Sequence, residues 1–421
     1  MRFSFFVRLL LSCAATSPVW ASKLLIPMDL TQTNHLKAYG IAYQSLAQGH
    51  KVEWLLNYRG GSFLLDDEEI FRREAVRRSV LFEAIGEDEV DRIRQIIETS
   101  SMESVSLEKP PKMAVYTPLT KQPWDDAVTL ALTYAEIPYE KIYDREIITG
   151  KLPKYDWIHL HHEDFTGQYS KFYSIYQGSE WYVNQVNTQT ALAKELGFPN
   201  DAMLKKAVVL AIRDYVEKGG FLFAMCLAPM TLDMALAAVH TDVVATPFDG
   251  TPPAPDYKSN LDYNLSLAFT DFSYDTDPVS PIHGDLDFNH ANSGPLRRRP
   301  ARDFTLFGFS PKFDPVPAML VQNHTDVVRG FFGLATSFPR DKLKPSIAVL
   351  GECAGQGTVQ YLHGNLGKGQ FTYYGGHDPE DYTHAVGDQP TNLDLHKNSP
   401  GYRLILNNIL YPAARQKKHK T

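Results

Sequence analysis

The segment from residue 203 to residue 229 constrains the fold more than any other part of the chain. It contains an amphipathic helix pattern (Met203 to Lys218), a Gly-Gly break and a short apolar run that ends at Cys226. Alanines stand two residues before and two residues after this cysteine, Ala224 and Ala228. Small residues there permit a sharp turn out of a strand, which lifts the central side chain from the sheet. The pattern predicts a nucleophile elbow at Cys226; the alternative is a buried cysteine at the end of a core strand.

The chain alternates apolar strands with amphipathic helices on both sides of a Lys-Pro-Pro linker at 109–111. Such alternation is typical of α/β proteins with parallel strands. We predict an N-terminal α/β unit over residues 22–109 and a larger α/β domain over residues 110–412. Pro, Gly, Asp and Asn are frequent at about residues 246–317, where regular periodicity fades, so we expect a loop-rich insertion there. Residues 413–421 form a basic tail.

Residues 1–21 have the composition of a secretory signal peptide. Two arginines precede a short apolar stretch, and small residues surround a cleavage point after Ala21. The stretch is too short to cross a bilayer, and no later segment reaches the roughly 18 apolar residues that a membrane helix needs. We therefore predict a periplasmic or secreted protein without a transmembrane helix. The alternative is a lipoprotein, because the residues before Cys13 loosely resemble a lipidation box.

The charge of the chain bears on its partners. The formal net charge is −7, and removal of Arg2 and Arg8 with the signal peptide makes the mature chain more acidic. Nucleic-acid binding requires clustered Lys and Arg, so it is not expected here. The expected ligand is a small molecule, a glycan or a peptide, and the oligomeric state stays open. Cys226 and Cys353, the cysteines left after cleavage, are too few for a disulfide framework.

A Gly-Gly-His-Asp-Pro-Glu motif at 375–380 follows the last predicted strand. Open α/β sheets place their sites at the carboxyl ends of parallel strands, so this polar loop is a candidate site. A histidine can deprotonate a thiol, and a carboxylate can orient the imidazole. We expect His377 to act as the base for Cys226, oriented by Glu380 or Asp378. The alternative is a polar turn in which backbone groups bind His377.

Residues 159–164, His-Leu-His-His-Glu-Asp, form another dense polar cluster. On a strand, His159 would share one face with the histidine two positions later, and the remaining polar residues would lie in the loop beyond. We expect His159 to pack structurally and the others to line the binding pocket: His161, His162, Glu163 and Asp164. No further metal ligand stands at a diagnostic spacing, so neither a metal nor a cofactor is predicted. The alternative is a metal-assisted hydrolase built on His161, His162, Glu163 and His377.

Three segments carry a family resemblance: the helix end with its Gly-Gly break at 215–220, the last strand and its loop at 367–378, and the final helix at 402–410. They are similar to the ThuA-like trehalose-utilisation family, and the resemblance covers roughly residues 112–235 and 345–412. That family belongs to the class I glutamine amidotransferase-like fold. The resemblance therefore implies a flavodoxin-like three-layer sandwich with helices on both faces of the sheet.

Class I amidotransferases use a Cys–His–Glu triad, and the resemblance assigns these roles to Cys226, His377 and Glu380. Asp378, inserted between the histidine and the proline, is a rival for the orienting carboxylate. The amide of Leu227 would be one oxyanion donor. ThuA-like members often lack the cysteine, so the fold does not guarantee the chemistry. The expected function is a thiol-dependent hydrolase acting on a carboxamide or acyl bond; the alternative is a non-catalytic glycan- or peptide-binding module of the envelope.

The chain as a whole also resembles a group of secreted bacterial proteins that carry an automated asparagine synthetase B label. A glutamine-dependent asparagine synthetase requires a cysteine at the mature N-terminus and a Ser-Gly-Gly-type pyrophosphate loop for ATP. Neither is present in this sequence. The residues therefore do not support synthetase activity.

Overall fold

The computed structural model describes residues 23–286, 302–331, 335–381 and 386–414. The predicted signal peptide, Cys13 and most of the basic tail lie outside the described residues, as does part of the predicted insertion. Among the helices of the described segments, none combines the length and the apolar character that a bilayer crossing requires.

The N-terminal unit is a five-stranded sheet with three helices. Its strands are β1 (Lys23–Ile26), β2 (Val52–Leu56), β3 (Ser62–Asp66), β4 (Glu83–Ile85) and β5 (Glu103–Leu107), and its helices are α1 (His35–Ala47), α2 (Glu69–Arg77) and α3 (Glu87–Thr99). The strand order is β4-β1-β3-β2-β5, and every neighbouring pair is antiparallel. The prediction of parallel pairing is therefore wrong for this unit.

The turn between β2 and β3 explains the antiparallel order. Asn57, Arg59, Gly60 and Gly61 all have positive φ angles, and the chain reverses so that β3 returns between β1 and β2. A Cβ atom at Gly60 would lie 2.2 Å from the carbonyl oxygen of Met28, so only glycine fits there.

The second sheet has ten strands and carries the candidate site. Its strands are β6 (Met113–Tyr116), β7 (Glu140–Ile142), β8 (Trp157–Leu160), β9 (Phe221–Met225), β10 (Arg302–Leu306), β11 (Val327–Phe331), β12 (Phe338–Pro339), β13 (Ala348–Cys353), β14 (Thr358–Leu366) and β15 (Gly369–Tyr374). The order is β11-β10-β13-β14-β15-β9-β8-β6-β7, with β12 beside β14. The five strands from β15 to β7 are parallel, and the others pair antiparallel. β10, which lies within the predicted insertion, is part of this sheet.

Helices cover both faces of the parallel strands, and the α/β class is confirmed. The helices of the main domain are α4 (Ala127–Ala135), α5 (Asp144–Ile148), α6 (Tyr173–Tyr176), α7 (Glu180–Glu195), α8 (Asp201–Glu217), α9 (Ala228–Ala237), α10 (Thr246–Asp249) and α11 (Pro400–Leu410). In β9, Phe221, Phe223 and Met225 pack in one core with α1, α4 and α11. Leu222 and Ala224 pack in a second core with α8 and α9. A strand buried on both faces reads as an uninterrupted apolar run, as this sequence does.

Arg403 of α11 joins the N-terminal unit to the main sheet. Its guanidinium is fully buried and donates hydrogen bonds to the carbonyl oxygens of Met28 (2.9 Å) and Gly60 (2.8 Å). It also donates to Nδ1 of His324 at 3.2 Å. Because this nitrogen accepts a hydrogen bond, the ring of His324 is held in its neutral form.

Protonation of His324 is expected to destabilise the protein by about 1–2 kcal/mol between about pH 7 and pH 5. Burial and the charge of Arg403 lower the pKa of His324 from 6.5 to about 3. The unfolded chain therefore binds this proton at a higher pH than the folded chain. The stabilising contribution is complete above about pH 6.5 and is lost as the pH falls towards 3.

Urea unfolding of the full chain at the two pH values measures this effect. His324→Gln should reduce the difference in unfolding free energy between them. The control is His240→Gln, because His240 is exposed. A pH difference that is the same in His324→Gln and in the wild type would contradict the assignment.

Candidate functional site

Cys226 occupies a sharp turn between β9 and α9, as predicted. Its φ angle is 55°, in the left-handed region that residues other than glycine seldom adopt. The Cys226 amide donates to the carbonyl oxygen of Gly376 at 2.9 Å, and the amide of Ala228 donates to the carbonyl oxygen of His161 at 3.0 Å. These two bonds attach the elbow to the ends of both neighbouring strands, β15 and β8.

Three histidines surround the cysteine. His161 and His162 follow β8, and His377 follows β15. Each offers one ring nitrogen, and these nitrogens and Sγ of Cys226 all lie within 4.8 Å of one another. Cys226, His161 and His377 are buried, whereas His162 is partly exposed. The structure thus brings the three motifs of the sequence together at the carboxyl edge of the parallel strands, and we call these four residues the His/Cys cluster.

Two aspartates that the sequence analysis did not select contact this cluster. Asp126 is the N-cap of α4, and its Oδ2 lies 3.2 Å from Nδ1 of His161. Oδ1 of Asp125 lies 3.4 Å from Nε2 of His377, and the Asp125 carbonyl oxygen lies 2.7 Å from Nε2 of His162. Both aspartates follow the parallel strand β6. This position, beyond the carboxyl end of the strand, could have identified them as site residues from the sequence.

These contacts set the tautomer of each ring. A carbonyl or carboxylate oxygen accepts a hydrogen bond, so the ring nitrogen facing it carries the proton and the other nitrogen keeps a lone pair. The lone pair is on Nε2 in His161 and on Nδ1 in His162 and His377. Nε2 of His161 is buried and has no hydrogen-bond partner among the described residues. Each of the three rings therefore keeps one nitrogen that can act as a hydrogen-bond acceptor or as a metal ligand.

The charges of the cluster follow from burial and from close neighbours. Burial lowers the pKa of His162 well below its ordinary value, and His161 and His377 lower it further. Burial alone would raise the pKa of Asp126, but His161 and His159 outweigh burial and hold that pKa well below its ordinary value. At neutral pH, Asp126 is a carboxylate and His162 is a neutral imidazole.

The two carboxylates expected to orient His377 make other contacts. Oε2 of Glu380 lies 3.1 Å from Nδ1 of His396. Asp378 accepts hydrogen bonds from the Tyr402 hydroxyl and from the amide of Glu380, and burial raises the pKa of Asp378 to about 6. The carboxylate placed against Nε2 of His377 is therefore that of Asp125.

Glu163 and Asp164, expected to line the pocket, hold the loop that follows His162. Oε1 of Glu163 lies 2.6 Å from Nζ of Lys205, inside the protein. Asp164 pairs with His283 at 2.9 Å and accepts amide hydrogen bonds from the loop itself. Glu163 thus contacts the Lys205 ammonium. The fourth potential metal ligand of the cluster, beside the three histidines, is Cys226.

A cluster of aromatic side chains lies beside His162. The Trp124 ring centroid is 5.6 Å from that of His162 and about equally far from those of Phe172 and Trp181. Most of these rings are partly exposed. We call this set the aromatic cluster: Trp124, Phe172, Tyr176, Trp181 and Tyr182. It provides an apolar surface next to the exposed member of the His/Cys cluster.

A cavity of about 1160 Å³ lies at the opposite edge of the parallel strands. It is lined by residues of the N-terminal unit, such as Met102, and by the starts of β9 and β15, including Phe221 and Gln370. No member of the His/Cys cluster lines it. The two cysteines of the described segments, Cys226 and Cys353, are both thiols rather than a disulfide.

Comparisons with known proteins found no matching protein-family model and no matching curated protein. Similar solved structures include the cytoplasmic protein STM3548 from Salmonella typhimurium, at 12% identity and a TM-score of 0.35, covering 72% of this chain and 100% of that one. The cytoplasmic protein STM1381 from Salmonella typhimurium LT2 has 12% identity and a TM-score of 0.32, covering 75% and 91%. A β-galactosidase from Bacillus circulans sp. alkalophilus has 11% identity and a TM-score of 0.27, covering 70% and 32%.

Proposed function

We propose that this chain is a thiol-dependent hydrolase that acts on a small carboxamide or acyl compound, with Cys226 as the nucleophile. The observation that carries the proposal is the position of Cys226. It sits in a left-handed turn between a strand and a helix, and its sulfur lies within 4.8 Å of a His377 ring nitrogen. A backbone held in a sparsely populated conformation is typical of functional sites.

The chemistry uses the tautomer that Asp125 imposes on His377. Nδ1 of His377 takes the thiol proton while the sulfur attacks the carbonyl carbon of the substrate. The amide of Leu227 lies at the start of α9, where the first N–H groups have no acceptor within the helix, and it would stabilise the oxyanion. The leaving amine or alcohol departs with the proton from His377. Water, deprotonated by the same imidazole, then hydrolyses the thioester and releases the acid.

The burial of the thiol favours a small substrate. Cys226 and His377 are fully buried, so a polymer such as a glycan or a long peptide would not reach the sulfur. Approach is from the side of His162 and the two aspartates, which are partly exposed. The aromatic cluster adjoins this side and favours a substrate with an apolar or planar part.

The proposal extends to the fold. Numbered along the chain, the parallel strands β6, β7, β8, β9 and β15 lie in the order 2-1-3-4-5. This is the strand order of flavodoxin-like folds, which bind ligands at the carboxyl ends of their strands. The amidotransferase-like relationship and the periplasmic or secreted location remain predictions from the sequence.

p-Nitrophenyl acetate tests the proposal, because its activated ester reports any acyl transfer. Chelator-treated full chain should release p-nitrophenolate and gain one acetyl group, located on Cys226 by peptide mass spectrometry. Cys226→Ser should lower the release rate by at least about 1000-fold. Cys353→Ser is the matched control and should leave the rate unchanged, since Cys353 lies in β13 outside the His/Cys cluster. Acetylation elsewhere, or full activity in Cys226→Ser, would overturn the proposal.

A further inference from the structure

We propose that the His/Cys cluster also binds a soft divalent cation of the Zn²⁺ class, and that the bound ion silences the thiol. The ligands are His161, His162, His377 and Cys226. The silencing rests on the proposed function, whereas the binding of the ion does not.

The spacing of the ligand atoms suits such an ion. The four atoms lie within 4.8 Å of one another. Zn²⁺ binds imidazole nitrogen at about 2.0–2.1 Å and thiolate sulfur at about 2.3 Å, so atoms of a tetrahedral site lie about 3.3–3.6 Å apart. Small side-chain rotations would bring the observed cluster to this spacing.

The outer contacts of the three rings point to the same conclusion. Metal-bound histidines donate their other N–H to a carboxylate or a backbone carbonyl, which orients the ring. Asp126 makes this contact with His161, and Asp125 makes it with His162 through its carbonyl and with His377 through its carboxylate. The nitrogen opposite each of these contacts keeps a lone pair that can bind a cation.

Nε2 of His161 is a separate observation that calls for a ligand. His161 is 2% exposed, and this nitrogen has no hydrogen-bond partner among the described residues. A buried polar atom without a partner is costly, and a cation in the cluster would satisfy it. Several imidazole lone pairs close together also repel one another unless a positive charge lies between them.

The ligand types select the ion. Imidazole and thiolate suit Zn²⁺, whereas Mg²⁺ and Ca²⁺ require oxygen ligands. Cys226 would bind as a thiolate, and its proton would pass to solvent. Four protein ligands complete a tetrahedral shell and leave no position for water, as in structural zinc sites. The ion therefore engages the sulfur lone pair that an acyl substrate would need.

The route of the ion is consistent with the burial of the centre. Asp125, Asp126 and His162 are the partly exposed groups around the cluster. The negative charge of the aspartates attracts a cation, and a single ion needs far less space than an organic substrate. The structure thus favours entry of an ion from the side on which the two aspartates lie.

Cobalt titration of the chelator-treated full chain tests the binding. Co²⁺ in this site should give visible bands of tetrahedral geometry and a near-ultraviolet sulfur-to-cobalt charge-transfer band. Cys226→Ser should lose the charge-transfer band, and Cys353→Ser should keep it. In competition with a chromophoric chelator, Asp126→Asn should weaken Zn²⁺ binding about 10–100-fold, as expected for an outer partner of a ligand.

The outcomes separate this inference from the proposed function. Absence of the cobalt bands in the wild type, or an unchanged charge-transfer band in Cys226→Ser, would overturn the metal site. Bands without acetylation of the metal-free protein would uphold the site and overturn the hydrolase. Acetylation of the metal-free protein without cobalt bands would uphold the hydrolase and overturn the metal site. If Zn²⁺ binds but leaves acetylation undiminished, the silencing is refuted.

Discussion

Replacing Lys205 by methionine is expected to lower the free energy of unfolding by about 3–5 kcal/mol. Lys205 lies in α8 and is fully buried, and its ammonium contacts Asp144 at 3.0 Å and Glu163 at 2.6 Å. Removing one partner of a buried ion pair leaves the opposite charge without compensation in a medium of low polarity. Here two carboxylates would lose their common partner.

Lys205 makes a further polar contact and is held as a cation by the two carboxylates. Its Nζ also lies 2.9 Å from the hydroxyl of Tyr116, which itself donates to Asp144. Burial alone would lower the pKa of Lys205, but the carboxylates of Asp144 and Glu163 outweigh burial and hold that pKa well above its ordinary value. The side chain is therefore a cation inside the protein, and α8 is tied to the loop that carries His162.

Urea unfolding of the full chain measures the loss. The matched control is Lys218→Met at the end of the same helix, because that side chain is 73% exposed and should change stability by only about 0.5 kcal/mol. The loss in Lys205→Met should be larger at about pH 8 than at about pH 5, because burial raises the pKa of Glu163 and protonation neutralises this carboxylate. Adding Glu163→Gln to Lys205→Met should recover part of the lost free energy of unfolding. Equal losses in Lys205→Met and Lys218→Met would refute the assignment.

Replacing Asp233 by alanine is expected to lower the free energy of unfolding by about 3–6 kcal/mol, because several buried hydrogen-bond donors would lose their acceptor together. Asp233 lies in α9, two turns after Cys226, and is fully buried. Its carboxylate accepts hydrogen bonds from the amides of residues 267, 268 and 269 at 2.7–2.9 Å. It also accepts one from the hydroxyl of Tyr373 in β15, at 3.0 Å.

The variant should also loosen the loop-rich segment that these amides anchor. Limited proteolysis is expected to cut Asp233→Ala within about residues 246–286 faster than the wild type. Urea unfolding of both proteins measures the change in the free energy of unfolding. Asp256→Ala is the control, because Asp256 is an exposed carboxylate of the same segment. Unchanged proteolysis together with unchanged stability would show that Asp233 does not anchor the segment.

The parts of the fold that follow local rules were predictable. The Gly-Gly break, the apolar run and the small residues around Cys226 each restrict the backbone over a few positions, and the elbow was found where they indicate it. Both the elbow and His377 follow parallel strands, and β9 and β15 are neighbours in the sheet. Strand polarity alone predicted that both lie at the carboxyl edge of the sheet, and the pairing of β9 with β15 brings them together.

Local rules did not predict the strand order of the N-terminal unit. Its strand–helix–strand pattern predicted parallel pairing, yet β3 enters between β1 and β2 and pairs antiparallel with both. Strand order depends on which edges become available as the chain collapses. A pattern of apolar residues along the chain does not contain that information.

The sequence alone determined which residues could carry chemistry and at which edge of the sheet they would lie, since strand periodicity and turn residues act locally. Only the tertiary structure decided their partners. Asp125 contacts His377 across 252 positions of the chain, Glu163 is bound by Lys205, and Cys226 joins three imidazoles. These pairings depend on distances between distant segments and on which ring nitrogen faces an acceptor. Both arise from packing, and they decide whether the elbow around Cys226 can work as a nucleophile, as a metal site, or as each in turn.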